Sequence, residues 1–388
     1  MRVGWQPFIA IPLWNLIDGL AERAIHVTVL KSKARSDLGM EEEAHPRADC
    51  RFFPLHFKRF TGIPGLRPLF WLLAYFEFLL RCIVMGLRLR ARVVIPIDID
   101  ALPAGWVVAR LTGASLVYYS YELYTDRPGV PMKWFWNSLE RFLIRRADLV
   151  VACEPNRSRV LEERFGLSER PLTVMNVPPR NDRPLVKSGI IQERLRECGL
   201  EGSKVIYFHG WINEERCAGT FIRALAAIEG KAVLFFLGPI EEDYKQALQT
   251  LAEEQGVAHR VLFQSMVPTE DLMKYAASAD LGLQAQLNVG LNSYYCAPCK
   301  LFQYFSVGLP VVASNFPGMI EVVEKNEAGI CVDSEDPEAV TAAINAIIND
   351  QALLDRMSQN AKRIADEEYC YEVQGKPLLD SIEAAVRR

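Results

Sequence analysis

The sequence has only five histidines and no cluster of them. It has a single CxxC, at Cys296 and Cys299, with no second pair to complete a tetrahedron, so a structural or redox metal is not expected. The nine cysteines are odd in number and scattered from Cys50 to Cys370. That pattern suits reduced thiols in a cytosol better than a disulfide framework. No repeat of solenoid length and no low-complexity tract is present. The N-terminus, "MRVGWQPFIAIPLWNLIDGL", lacks the marks of a signal peptide: one arginine forms its basic region, two prolines interrupt it, and no small-residue cleavage site follows. A long uncharged apolar run is missing too. The most lipid-like stretch, residues 68–87, carries Glu77 and Arg81 near its middle. Each charge costs roughly 2.5–3.5 kcal/mol at a bilayer centre. Four apart, the two can pair on one helix face, so a buried or interfacial helix is expected rather than a membrane-spanning one.

What is there fits a soluble globular chain. Its 388 residues allow two ordinary domains, half the residues are hydrophobic, and 24% are charged. The charge is uneven. Residues 1–185 hold 26 Lys and Arg against 19 Asp and Glu, and the remainder holds 18 against 29. Between Arg51 and Arg92 eight basic residues face a single acid, Glu77. A basic, apolar N-terminal half suggests an anionic partner, and a membrane surface or lipid phosphate fits its Phe, Trp and Leu content. A solvated basic helix face would read the same way. Nucleic acid is not expected, because no binding motif accompanies the charge.

Short β-branched runs alternate with helix-length segments. Strands are predicted at 25–30, 93–97, 115–119, 148–152 and 172–175. A second series is predicted at 204–208, 232–237, 260–263, 280–283, 310–313 and 329–332. Apolar runs without alternation imply parallel strands covered on both faces. The pattern breaks at 176–189, where three prolines and mixed charges intervene. The expected fold is therefore α/β: two doubly wound, Rossmann-like parallel-sheet domains facing across a cleft, with ligands at the carboxyl ends of the strands. The opening is odd, because Gly4 alone stands where a strand and a glycine-rich turn are usual. Either the first strand is degenerate or the true start lies upstream.

Two segments of the second half carry chemistry. In "NSYYCAPCKLFQYFSVGLPVVAS" (292–314), Pro298 fits the first position of a helix, and the free N–H groups of a first turn attract anions. Lys300 adds a charge there, and Gln303, three residues on, shares its face. The plain alternative is a surface lysine snorkelling from a core helix. "KVIYFHGWINEERCAGTFIRALAAI" runs strand, glycine turn at Gly210, then helix, with Arg216 near the helix start. Two such sites in one domain can clamp a diphosphate. A third motif, "PIDID", holds Asp98 and Asp100. An Asp-x-Asp pair can hold a divalent cation, but Asp100 capping a helix that begins near Leu102 is the better reading. Orienting an acceptor hydroxyl is a further role for Asp100.

These segments resemble the glycosyltransferases of family 4, the glycosyl transferases group 1, over about residues 90–385. "HGWINEERCAGTFIRAL" is similar to the family's glycine turn followed by Arg-Gly and a helix, with Cys217 where glycine is usual. "GVAHRVLFQSMVPTEDLMKYAASADLGL" looks like the nucleobase-side loop, at Ser265 and Met266, and its following helix. "NSYYCAPCKLFQYFSVGLPVVASNFPG" is similar to the family's Pro-x-Lys-Leu-Phe-Glu-Tyr segment and its Gly-x-Pro-Val-Val. "YYSYELYTDRPG" and "ERFLIRRADLVVACEPNRSRVLEERFG" follow family spacing.

The resemblance implies the GT-B fold, with an acceptor-side domain over 1–183, a donor-binding domain over 184–370, and a last helix, 371–388, crossing back. It implies a nucleotide-diphosphate sugar as donor substrate, retention of anomeric configuration, and no metal or other cofactor. Carried over, Gly210, Arg216 and Lys300 would bind the diphosphate, Gln303 would face the ribose, and Asn292 and Tyr295 would lie beside the donor sugar. Glu122 matches the glutamate of the family's Asp-x-His-Glu-Leu segment, and it and Asp100 are the candidate catalytic residues. Three positions depart from the pattern. Gln303 stands for a ribose-binding glutamate, Tyr119 and Tyr121 replace the aspartate and histidine before Glu122, and Tyr295 aligns with the first of two paired glutamates. The expected function is transfer of a sugar to a glycan or lipid-linked acceptor in polysaccharide or glycoconjugate biosynthesis, in the cytoplasm or at the inner face of the membrane. A non-catalytic binding or scaffold subunit, and another nucleotide-sugar enzyme such as an epimerase, are the alternatives.

Overall fold

A computed structural model of the chain describes residues 11–33, 44–63, 65–181 and 188–388. The chain divides into two compact units, Met1–Asn176 with Gln374–Arg388, and Val177–Val373.

In the first unit, β1 (Thr28–Ser32) and β2 (Asp49–Phe53) form a parallel pair. A four-stranded parallel sheet follows, in the order β3 (Val93–Val94), β4 (Ser115–Ser120), β5 (Leu149–Ala152) and β6 (Leu172–Thr173). Strand β2 is absent from the sequence reading. Its "DCRFF" mixes polar and apolar residues on a half-covered edge, so no apolar run announces it. The poor strand expected at the N-terminus lies outside the described residues up to residue 10, and from Ile11 to Glu22 the chain is a helix.

The helix Arg67–Leu89 buries Ala74, Phe78, Cys82 and Gly86, one face at a spacing of four. A Cβ on Gly86 would lie 2.8 Å from Val108 Cγ2, so glycine lets this helix close on the helix Asp98–Thr112. Glu77 and Arg81 pair as their spacing predicts, with Arg81 Nε 3.0 Å from Glu77 Oε1, and His56 Nδ1 joins the same oxygen at 2.7 Å. The C-terminal segment is not one helix. Tyr371–Gln374 and Lys376–Arg387 are separated at Gly375, and Pro377 stands in the first turn of the second. That second helix is tied to the first unit by Arg23, which pairs with Asp380 at 2.8 Å and Glu383 at 2.9 Å, and by Arg92, which donates to the Val386 carbonyl at 2.9 Å.

The second unit is a six-stranded, all-parallel sheet in the order β12, β11, β10, β7, β8, β9. Its strands are β7 (Lys204–His209), β8 (Ala232–Leu237), β9 (Val261–Gln264), β10 (Leu281–Gln284), β11 (Val311–Ser314) and β12 (Gly329–Val332). Each lies within a residue of its predicted span. All six positions of β8 are buried, as a central strand with helices on both faces requires. The strand order reverses at β7, which pairs with β8 on one side and β10 on the other. That reversal places a crevice outside the carboxyl ends of β7 and β10. The unit begins at Val177 rather than 184 because the chain there is already held. Tyr371 N–H donates to the Pro178 carbonyl at 3.0 Å, Asn181 Nδ2 to the Ser306 carbonyl at 3.0 Å, and Lys362 Nζ to the Asn181 carbonyl at 2.8 Å.

Between β4 and the helix Lys133–Ile144 sits a buried carboxyl. Glu140 accepts a hydrogen bond from Tyr118 Oη at 2.7 Å. Burial pushes its pKa up to about 7, against the lowering effects of the Tyr118 bond and the Arg164 charge. The folded state therefore holds this proton more tightly than the unfolded chain, so the stability it contributes is present below about 4.5 and falls as pH rises through about 7. The full difference amounts to roughly 3 kcal/mol. Glu140→Gln keeps an acceptor for Tyr118 and removes the titration. Denaturant melts at pH 5 and pH 8 should show the variant gaining on the wild type at the higher pH; equal losses in both proteins would rule out a penalty at Glu140.

Candidate active site

The site is built at the end of β7. Gly210 leaves the strand with φ +115° and Gly238 leaves β8 with φ +140°, conformations that side-chain-bearing residues rarely adopt. A Cβ on Gly238 would lie 2.2 Å from the Gly210 carbonyl oxygen, so the two turns touch backbone to backbone. On its other side Gly210 makes room for Lys300, whose Nζ would lie 3.3 Å from a Cβ there. The ammonium sits 4.0 Å from the centre of the Phe208 ring, a cation–π contact.

Lys300 lies in the first turn of the helix Cys299–Ser306. Pro298 is not its first helical residue but the residue before it, with ψ 144°, and its carbonyl accepts the Leu301 N–H at 2.9 Å. Burial, and after it the Arg216 charge, hold the Lys300 pKa well below its ordinary value. Arg216 closes the short 3-10 turn Glu214–Arg216, and Cys217 behind it has φ +56°. A glycine would take that conformation freely; here a buried thiol side chain fills the core instead. The guanidinium donates to Gln286 Oε1. Gln286 is itself fixed in the loop after β10, its N–H donating to Ser314 Oγ at 2.9 Å, and Ser314 is bonded to Ser334 Oγ at 2.7 Å. Among the described residues neither Lys300 nor Arg216 forms an ion pair. Two cations at the switch point thus share a site with no described carboxylate within ion-pair distance of either.

Gln303 is 9% exposed, and its Oε1 lies 3.0 Å from His209 Nε2. Burial and the Lys300 charge push the His209 pKa down to about 3, so the imidazole is neutral at ordinary pH. With Gln303 Oε1 as acceptor, Nε2 carries the proton and donates. The His209 N–H donates to Tyr304 Oη at 3.1 Å, and Tyr304 Oη to the Leu283 carbonyl at 3.4 Å, so β7, β10 and the Lys300 helix are knitted together. Asn292 lies in the helix Leu291–Tyr294 and Tyr295 follows it; both are part-buried. Ser265 and Met266 follow β9, are exposed, and adjoin Gln264, whose carbonyl accepts the Gly238 N–H at 2.9 Å. No group of three or more His, Cys, Asp or Glu able to hold a metal occurs among the described residues.

The first unit holds the other named residues. Asp100 does not cap a helix beginning near Leu102, because the helix starts at Asp98; Asp100 is buried in its first turn. Asp98, read in the sequence only as one half of an Asp-x-Asp pair, is the organising carboxylate, adopting φ +56° at 3% exposure. Its Oδ1 accepts the N–H groups of Tyr121 at 2.8 Å and Glu122 at 3.1 Å. Glu122 Oε2 pairs with Arg127 Nη1 at 2.9 Å. The structure therefore brings Gly210, Arg216, Lys300 and Gln303 together in one unit, and links Glu122 to Asp98 in the other. The sequence reading missed His209, Gly238, Gln286 and Ser314, and the backbone-binding role of Asp98. Only Gly238 carried a signal, a glycine directly after an apolar strand.

A family profile described as "Glycosyl transferases group 1" matches residues 192–364, and one described as "Glycosyl transferase 4-like domain" matches residues 10–179. The chain belongs to the glycosyl transferases group 1 family. It is 28% identical over 262 residues to D-inositol 3-phosphate glycosyltransferase of Nocardia farcinica, a match over 64% of this chain and 55% of the relative. It is 26% identical over 238 residues to the GDP-mannose-dependent alpha-(1-6)-phosphatidylinositol monomannoside mannosyltransferase of Mycolicibacterium smegmatis, over 59% and 52%. The chain thus spans about half the length of these curated relatives. Its fold is similar to the crystal structure of Anabaena Alr3699/HepE in complex with UDP and glucose, with a TM-score of 0.73 and 18% identity over 95% of each chain. The fold is GT-B: two domains, each with its parallel sheet.

The unneutralised pair makes a testable demand. Lys300→Met keeps the stem on Phe208 and removes a charge that the folded protein holds at a disadvantage. Without ligand, its thermal midpoint should equal or exceed that of the wild type. Its affinity for a nucleoside diphosphate should drop about 10- to 100-fold, the worth of a charge-assisted bond. A lower midpoint together with undiminished diphosphate affinity would show that Lys300 is a structural residue.

Proposed function

We propose that the protein is a glycosyltransferase that moves a sugar from a nucleotide-diphosphate sugar to a glycan or lipid-linked acceptor, with retention of anomeric configuration. The observation that carries this reading is the Lys300–Arg216 pair, two cations at the β7 switch point with no ion-pair partner among the described residues. A diphosphate supplies the missing negative charge. Its charge grows as the sugar leaves, so fixed cations bind the leaving group more strongly in the transition state than in the substrate. Gln286 holds the guanidinium in place beforehand, which spares reorganisation during the reaction. Family membership and the names of the relatives support a nucleotide-sugar donor.

The remaining roles are part of the same proposal. Gln303 turns its oxygen to His209, which leaves its amide N–H₂ to donate to a ribose hydroxyl oxygen, where a glutamate would accept. Asn292 and Tyr295 lie beside the donor sugar, and Ser265 and Met266 beside the base. Glu122, set by Asp98 and Arg127, and Asp100 serve the acceptor side.

The test is a panel of uridine and guanosine diphosphate sugars read by thermal shift and by transfer or hydrolysis of the sugar. One nucleotide sugar at 100 times its dissociation constant should stabilise the protein by about 2.7 kcal/mol, and wild type should turn it over. Gln303→Glu should bind that donor about tenfold more tightly, the difference between a neutral and a charge-assisted bond. Binding without turnover in both proteins would favour a non-catalytic subunit. Unchanged or weaker binding by Gln303→Glu would remove Gln303 from the ribose site.

A further inference from the structure

The helix Arg67–Leu89 is apolar on two faces, and only one of them is covered. Ala74, Phe78, Cys82 and Gly86 pack into the first unit. The opposite stripe, Leu69, Leu72, Phe76, Leu80 and Val84, is 39–62% exposed and repeats at spacings of three and four. The helix is long and apolar enough to cross a membrane by length and composition, yet only 22% of its apolar window is buried inside the protein. Both charges at its middle are already engaged, Glu77 with Arg81 and His56.

The apolar surface extends to a second helix. Tyr75 packs edge-on against Trp136 at 5.6 Å, Trp136 meets Phe135 at 5.4 Å, and Phe135 meets Trp134, which is 73% exposed. Cations flank it: Arg88 follows Val84 by one turn at its C-terminal end, Arg90 lies just beyond, and Arg59 stands on the neighbouring turn, all exposed. An uncovered apolar stripe bordered by exposed arginines, with aromatic rings alongside, complements a surface that is oily within and anionic at its edge.

We propose that this face of Arg67–Leu89 docks the protein on an anionic lipid bilayer, with the helix lying in the plane of the interface. The stripe enters the acyl boundary while Arg59, Arg88 and Arg90 meet lipid phosphates. The face packed on the protein core forbids insertion of the helix across the bilayer. The inference goes beyond the donor site and does not rest on it.

The experiment is co-sedimentation of the full chain with phosphatidylcholine vesicles, with and without phosphatidylglycerol, at low and high salt. Wild type should pellet with the anionic vesicles and be released by salt and by alkaline carbonate, as a peripheral protein is. The triple variant Leu72→Ser, Phe76→Ser, Leu80→Ser should bind anionic vesicles at least about tenfold less while keeping the wild-type thermal midpoint, since these side chains are exposed. The set Arg59→Gln, Arg88→Gln, Arg90→Gln should lose the preference for phosphatidylglycerol. No binding by wild type, or equal binding by the triple variant, overturns the proposal. So does a wild-type dimer that the triple variant converts to monomer without any vesicle binding, which would assign the stripe to a second copy of the chain.

Discussion

The contact between two glycine turns governs the second unit. Because Gly238 has no Cβ, the ends of β7 and β8 close until one backbone meets the other. The same absence of a side chain on Gly210 admits the Lys300 ammonium over the Phe208 ring. Once Lys300 is there, its charge and burial settle two other groups. His209 stays neutral, with its one ring proton on Nε2 donated to Gln303, and the guanidinium of Arg216 faces a like charge. Functional sites commonly hold such unfavourable arrangements, maintained by the surrounding fold. The Gln286–Ser314–Ser334 chain is that support here, since it orients Arg216 from two neighbouring strands.

The first unit shows how differently two buried carboxyl groups are used. Asp98, at a helix start, accepts two backbone N–H groups and so shapes the turn that carries Glu122. Glu140 has one hydroxyl donor and is fully enclosed, and its pKa rises. Local donors decide which carboxylate is accommodated. The departures from the family pattern at Tyr119 and Tyr121 belong to this region. Their rings pack edge-on at 4.4 Å and are buried, so the substituted positions serve the core beneath the turn.

Much of the architecture could be read directly. The second unit's strands are continuous apolar runs covered on both faces, and that pattern survives any tertiary arrangement. Strand β2 escaped because its edge position imposes no such pattern on "DCRFF". The helix starts were misplaced at Asp98 and Pro298 for a related reason. A cap is defined by backbone angles and hydrogen bonds, and residue type only biases them: Asp98 begins its helix at φ +56°, which its side chain does not announce. The lipid-like run at 68–87 was visible as a helix with an internal Glu77–Arg81 pair, but which of its two apolar faces is covered was not.

The sequence by itself determined the two α/β halves, the switch-point segments and the identity of the cations Arg216 and Lys300, because strand periodicity and motif spacing are local properties of the chain. Only the tertiary structure decided what those cations meet. Gln303 shares a helix face with Lys300 in any reading, but that it turns its oxygen to His209 depends on a residue 94 positions away, at the end of a strand. Gly238 and Gln286 likewise act through partners remote in sequence. Burial, the like-charge approach and the hydrogen bonds that orient the site arise where separate strands end together, and no window of the chain contains that meeting point.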